Sequence, residues 1–224
     1  MRNLITLNTD GQLALRASNG AETAIVPFKA HNVLILLDTS GSMAGAKITQ
    51  AKSGAVDFAH SASLKGYATA LAVFADRAAM VCDPQSNADV LSRKIKGVDV
   101  GAVGGSTDFF SALELAGKFK DLSAVVLVTD GQIVCVEGTL PAYQREVLEQ
   151  AKALKNRGVE IICIGTDDAD RGFLKRLATR DDLAVHVPPQ DIRTAISDAS
   201  RMLPAFDASR VLNGYIGDKI RTVR

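Results

Sequence analysis

Val33-Leu34-Ile35-Leu36-Leu37-Asp38-Thr39-Ser40-Gly41-Ser42 is an unbroken apolar run that ends abruptly in an aspartate and a string of hydroxyls. A run that is apolar at every position, not at every second one, is what a strand in the middle of a parallel sheet requires, because helices cover both of its faces. Beyond it, Ile48, Ala51, Ala55, Phe58, Ala59 and Ala62 recur at three- and four-residue steps, which puts them on one face of a helix from Gly45 to about Leu64. The small alanines allow that helix to pack closely. The theme then repeats along the chain. Residues 68–74 read as a strand, joined through the tight turn Ala75-Asp76-Arg77 to a second one near 78–82 that runs antiparallel at the sheet edge. A helix over 87–96 stops at Gly97, a glycine-rich stretch leads to a helix from Asp108 to about Phe119, and residues 124–128 form another fully apolar strand. A long helix with Leu140, Tyr143, Val147, Leu148, Ala151 and Leu154 on one face ends in Lys155, Arg157 and a glycine cap, Gly158. A strand over 159–164, a helix over 170–179, a short strand over 184–187 and a helix over 191–202 complete the series.

Strands alternating with helices specify an α/β fold: a doubly wound, Rossmann-like, mostly parallel six-stranded sheet with one antiparallel edge strand and helices on both faces. Residues 31–203 suffice for it. Residues 1–30 precede it as a β-hairpin extension, since Leu4 to Leu7 and Gln12 to Leu15 flank Asp10-Gly11, a strong hairpin signal. Residues 204–224 follow as a C-terminal extension whose alternating end, Lys219 to Arg224, is expected to pair with the N-terminal β segment into one small β appendage.

Composition removes several classes of function. The 224 residues carry 26 Lys and Arg against 25 Asp and Glu, a net charge of +1, so no bulk cationic field exists to hold phosphate backbones. The nearest basic cluster, Ser92-Arg93-Lys94-Ile95-Lys96, reads as the solvated end of a helix, and the chain has no Trp for stacking on bases. Nucleic-acid binding is not expected. Apolar runs stay far below the roughly 20 residues that span a bilayer. The first fifteen residues turn where a secretory signal needs a continuous apolar core, so a cytoplasmic protein is expected. Cys82, Cys135 and Cys163 are odd in number and show no CxxC spacing, which suits reduced, buried thiols. His31, His60 and His186 show no ligand spacing and read as structural.

In a doubly wound sheet, ligands bind beyond the carboxyl ends of the strands, where the strand order reverses. The two apolar strands there run into Asp38-Thr39-Ser40-Gly41-Ser42 and into Thr129-Asp130-Gly131, and the segment Gly104-Gly105-Ser106-Thr107 joins the same crevice. Only oxygen faces inward. An all-oxygen set with two carboxylates suits a hard divalent cation, magnesium with manganese as the other choice, in preference to a calcium cage with more acids. Asp38 and Asp130 offset the +2 charge, while the neutral hydroxyls of Ser40, Ser42 and Thr107 add ligands without charge. The ion keeps the capacity to attract an outside carboxylate.

Asp38-x-Ser40-x-Ser42 after a buried strand, Thr107 after Gly-Gly, and Asp130 in Thr-Asp-Gly after another buried strand resemble the three-part metal-ion-dependent adhesion site of von Willebrand factor A domains. The resemblance covers residues 31–203 and is of the small stand-alone bacterial type. It implies a Rossmann-like domain that binds magnesium and captures a Glu or Asp of a partner protein. Asp38, Ser40 and Ser42 would be the first ligands, Thr107 would bind directly or through water, and Asp130 would hold a metal-bound water. By the same resemblance the protein is an adaptor without enzymatic activity in a cytoplasmic complex, its partners being a MoxR-type AAA+ ATPase or a kinase or phosphatase partner.

Each of these residues also has a purely local use. Ser40 or Ser42 could cap the helix starting near Gly45, and Ser106 or Thr107 the helix at Asp108, while Asp108 reads as a helix-start acid. The loop Gly41 to Lys47 imitates a phosphate-binding loop but lacks its Gly-Lys-Ser/Thr, having Ala46-Lys47-Ile48, so Lys47 reads as a solvated first-turn lysine. The competing function is a metal-dependent phosphohydrolase using Asp38 as nucleophile. It lacks a second carboxylate two residues on, where Ser40 stands and cannot act as an acid near neutral pH.

Overall fold

The computed structural model describes residues 4–7, 13–16, 24–26, 31–131 and 139–204. Leu4–Leu7 (β1), Leu13–Arg16 (β2) and Ala24–Val26 (β3) form an antiparallel sheet in the order β1-β2-β3. Leu7 pairs with Leu13, so Asp10-Gly11 falls between the first two strands. β3 was not anticipated, because three residues are too few to display a period. The expected pairing of residues 205–224 with this segment lies outside the described residues, as does Cys135.

Residues 31–204 form a separate compact unit. It contains His31–Asp38 (β4), Ala46–Ser63 (α1), Tyr67–Phe74 (β5), Ala78–Gln85 (β6), Ala88–Lys96 (α2), Phe109–Gly117 (α3), Leu122–Thr129 (β7), Leu140–Asn156 (α4), Glu160–Gly165 (β8), Arg171–Leu177 (α5), Ala184–His186 (β9) and Ile192–Met202 (α6). The sheet order is β6-β5-β4-β7-β8-β9. β4 is parallel to both β5 and β7, β8 and β9 continue parallel, and only the edge strand β6 is antiparallel. This is the doubly wound sheet expected from the alternation. The order reverses between β4 and β7, the two strands that the apolar runs identified.

Helices enclose the sheet as the strand composition demanded. Val33 to Leu37 are each 0% exposed, so side chains on both faces of β4 are covered. Each such burial contributes roughly 1.5–3 kcal/mol. α1 packs against α6 and α2, while α3 packs against α4. The alanines on the buried face of α1 are joined by Gly54, on which α6 rests at a distance only a residue without Cβ permits.

The local uses proposed for the hydroxyl residues do not occur. Gly45 stands at the N-cap of α1 with a φ of +81° and no side-chain cap, so neither Ser40 nor Ser42 closes that helix. Asp108 is the N-cap of α3, its carboxylate accepting from the backbone N–H groups of Phe110 and Ser111. Ser106 and Thr107 therefore do not serve as its cap. The reading of Asp108 as a helix-start acid holds, and Tyr143 of α4 adds a hydrogen bond to the same carboxylate at 2.5 Å. Proximity of Asp108 and burial both push the Tyr143 hydroxyl above its ordinary pKa, burial being the larger cause.

Candidate metal centre

Asp38 ends β4 with its side chain fully buried. Its Oδ1 accepts the backbone N–H of Ser40 at 2.8 Å, and its Oδ2 accepts the Thr129 hydroxyl at 2.6 Å from the end of the neighbouring strand β7. These two bonds aim the carboxylate and still leave each oxygen a free lone pair. Thr129 was read only as part of a strand end. Its role escaped because the partner lies 91 residues away in sequence, across a strand pairing that no local pattern reveals.

The hydroxyls continue from there. Ser40 Oγ lies 3.1 Å from Ser42 Oγ, and Ser42 Oγ donates to Asp130 Oδ1 at 2.7 Å. Ser40 and Asp130 are buried, whereas Ser42 is exposed, so the cluster is closed beneath and open above. Thr107 is 4% exposed, and its Oγ1 lies 2.7 Å from where a Cβ on Gly131 would stand. The glycine after Asp130 thus leaves room for the Thr107 hydroxyl. All five expected residues lie at the carboxyl ends of β4 and β7 or on the loop folded against them.

That loop is held by a residue the sequence reading missed. Asp76, in the β5–β6 turn, accepts through Oδ1 from the backbone N–H of Gly105 at 3.1 Å, the N–H of Ser106 at 2.7 Å and the Ser106 hydroxyl at 2.5 Å. These bonds, the Ser106 hydroxyl foremost, hold its carboxyl below the usual carboxylate range. Gly104 has a φ of +121° and passes so close that an added Cβ would fall 2.2 Å from Asp76 Cγ. Only glycine serves there. An Asp at a hairpin turn is commonplace, so the one available sequence signal was the run of glycines that must wrap something. Asp76→Ala is expected to leave the fold intact and weaken divalent-ion affinity about tenfold, the usual cost of losing an orienting partner of a ligand. Calorimetric titration with magnesium checks this.

Lys47 is not the solvated first-turn lysine expected: its side chain is 19% exposed and its ammonium is paired with Asp130 Oδ2 and, at 2.8 Å, with Asp167 Oδ2. The crevice therefore holds an ammonium among its oxygens. Burial pulls the ammonium pKa down, but the hydrogen bonds to Asp130 and Asp167 outweigh it and leave Lys47 above the ordinary lysine value. Asp167 follows β8 with a φ of +47°, a left-handed conformation uncommon outside glycine.

The donor set fits a small hard cation. In an octahedral shell with metal–oxygen distances of about 2.1 Å, neighbouring oxygens stand about 3 Å apart, and the Ser40–Ser42 separation of 3.1 Å matches that edge. Among the described residues no three His, Cys, Asp or Glu side chains converge as a metal cluster, so hydroxyls must supply the balance of the ligands. Burial raises the Asp38 carboxyl to about 6, against hydrogen bonds from Thr129 and Ser40 that lower it, with Asp130 adding a smaller upward push. The sign follows from the raised value. The contribution of Asp38 to stability is complete below about 3.8 and is lost as pH rises through about 6, because the folded chain then holds a buried charge. A divalent cation offsets that charge, but protons compete with it. Magnesium affinity is accordingly expected to fall about tenfold per pH unit below 6 and to level off above it, as titrations at pH 5 and pH 7.5 would show.

The family model of the von Willebrand factor type A domain matches residues 33–132, from the first apolar residue of β4 to just past Asp130. No curated protein matches the chain. Among solved structures, proximal thread matrix protein 1 of the mussel byssus superposes with a TM-score of 0.64 at 18% identity, covering 77% of this chain and 45% of that one. This chain thus spans less than half the length of the mussel protein. The von Willebrand factor domain of the type V pilus tip protein Mfa5 from Porphyromonas gingivalis gives 0.64 at 15% identity, over 76% of this chain and 94% of that one. Another structure of the mussel protein, with a TM-score of 0.56 at 18% identity over 75% of this chain and 45% of that one, has zinc in its metal-ion-dependent adhesion site motif.

Proposed function

We propose that the chain carries a von Willebrand factor type A domain, whose family model matches residues 33–132, and that it is a magnesium-dependent protein-interaction module whose site captures an acidic side chain of a partner. The observation that carries the reading is the continuous oxygen cluster at the switch point: Ser40 to Ser42 at 3.1 Å, Ser42 to Asp130 at 2.7 Å, and Asp38 held by Thr129 at 2.6 Å. Asp38, Ser40 and Ser42 would hold the ion directly, with Thr107 and Asp130 closing the set. A bound divalent cation supplies the positive charge that draws in a carboxylate, and manganese suits the same oxygens. That the mussel protein takes zinc in its own motif supports metal competence of the arrangement, although the two chains share only 18% identity.

The division of labour follows from exposure. Asp38, Ser40 and Asp130 are buried and fixed, so they anchor, while exposed Ser42 marks the side from which a partner approaches. With only two carboxylates next to a divalent ion, the site is not over-neutralised and still attracts an anion. No catalytic step belongs to this reading. Ser40 stands where a phosphohydrolase would need its acid, and Lys47 is engaged by two carboxylates in place of facing a phosphoryl group. We further propose a cytoplasmic adaptor role with a MoxR-type AAA+ ATPase or a kinase or phosphatase partner. Among the described residues no helix is long and apolar enough to cross a membrane.

The test is capture from a lysate of the source organism on immobilised protein. A partner retained with magnesium, released by chelator, and lost when one of its own surface Glu or Asp residues is changed to Ala is the expected result. Retention that ignores chelation would overturn the reading.

A further inference from the structure

Both oxygens of Asp130 are engaged: Ser42 Oγ donates to Oδ1 at 2.7 Å and the Lys47 ammonium is paired with Oδ2. The two donors differ in what they can do beside a metal ion. A hydroxyl donates its proton to Asp130 and keeps lone pairs for a cation, so Ser42 can stay where it is. An ammonium has no lone pair and carries a charge that a divalent ion repels. Lys47 is the group that must yield. It also has somewhere to go, because its second partner, Asp167 Oδ2 at 2.8 Å, has a side chain 37% exposed and lies on a different strand end, after β8.

We propose that Lys47 is a tethered cation that sits on Asp130 when the site is metal-free and retreats to Asp167 when a divalent ion is loaded, so that loading is an exchange of one cation for another. The inference rests on the magnesium reading above and adds to it the device that balances the charge of the metal-free site. Without Lys47, buried Asp130 would keep the Ser42 hydroxyl on Oδ1 but lose the cation paired with its Oδ2. With it, the metal-free fold keeps a shielded site, and affinity is set by the difference between two cations competing for the same carboxylate.

Two measurements on the whole chain test this. The first is amine labelling with an acylating reagent, read out at Lys47 by peptide mass spectrometry, in chelator and then in saturating magnesium. Labelling of Lys47 is expected to rise severalfold with magnesium, while exposed Lys94 and Lys175 stay unchanged. A mere electrostatic influence of Lys47 on the site would not expose its amine. The second is calorimetric titration of Lys47→Met with magnesium, expected to show affinity about tenfold tighter than the unmodified chain, the equivalent of removing one competing ion pair. Should Lys47→Met prove too unstable to purify in chelator, the labelling of the natural chain alone decides. Unchanged or reduced labelling in magnesium, or a variant that binds no more tightly, overturns the exchange while leaving the magnesium reading standing. No uptake of magnesium by either protein overturns both.

Discussion

Asp38→Asn is expected to lose magnesium binding by more than about 100-fold, beyond the usual cost of removing a supporting partner, and yet to unfold in chelator at or above the temperature of the natural chain. The two effects share one cause. Asp38 is buried, and its carboxyl is raised to about 6 chiefly by that burial, so at neutral pH the metal-free chain carries an ionised group in a place that disfavours ionisation. Asparagine has the same shape without the charge. Its amide oxygen can accept the Ser40 N–H, and the Thr129 hydroxyl can turn to accept from its amide nitrogen, so the partners at 2.8 and 2.6 Å are retained. What disappears is the anion that a divalent ion needs. Thermal unfolding in chelator and in magnesium separates the terms: the natural chain should be stabilised by magnesium through mass action, and the variant should not respond. A variant that still took up magnesium within a few-fold of the natural affinity would remove Asp38 from the ligand set.

Gly54→Ala tests the packing, and its sign is the point of interest. In an exposed helix the change would stabilise by about 1 kcal/mol, since alanine is the better helix former. Here the added Cβ would stand 2.8 Å from the carbonyl oxygen of Arg193 and 2.9 Å from Cβ of Ile196, both on α6. A backbone carbonyl cannot rotate aside, so α6 must back away from α1, and overpacking of this kind costs about 1–3 kcal/mol. The net expectation is destabilisation, with the midpoint falling by roughly 2–4 °C per kcal/mol for a chain of this size. Gly54→Leu should be worse. Gly117→Ala, at the last position of α3 with open space around the added Cβ, is the control and should be neutral or mildly stabilising. Equal behaviour of the two alanine variants would mean that α1 and α6 are not packed as closely as described.

The candidate metal site and the helix packing meet at α1, which begins at the loop of Ser40 and Ser42, carries Lys47 in its first turn and rests on α6 through Gly54. The order of these features along one helix explains why a single stretch of sequence was so informative. Period and composition identified the buried strands and the helical face of α1, because burial on two faces and on one helical stripe leave different apolar patterns, and the short turn Ala75-Asp76-Arg77 identified the antiparallel edge. The convergence of the candidate residues Asp38, Ser40, Ser42 and Asp130 was legible for a related reason: each sits within a few residues of a strand end whose position the apolar runs had already marked, while Thr107 was flagged by the glycines before it.

Partnerships across the sheet were beyond reach of any such pattern. Thr129 aims Asp38 from another strand, Asp76 reaches across about thirty residues of chain to hold the loop of Thr107, and Lys47 finds Asp130 and Asp167 only after β4, β7 and β8 lie side by side. From sequence, Lys47 was one more lysine in a first helical turn, where solvent is the ordinary surrounding. The chain's own residues determined which elements form and where their polar ends collect, since both depend on neighbours a few positions apart. Which charge faces which was decided by tertiary structure alone, because electrostatic partners are selected by distance in space after the strands have been brought into register.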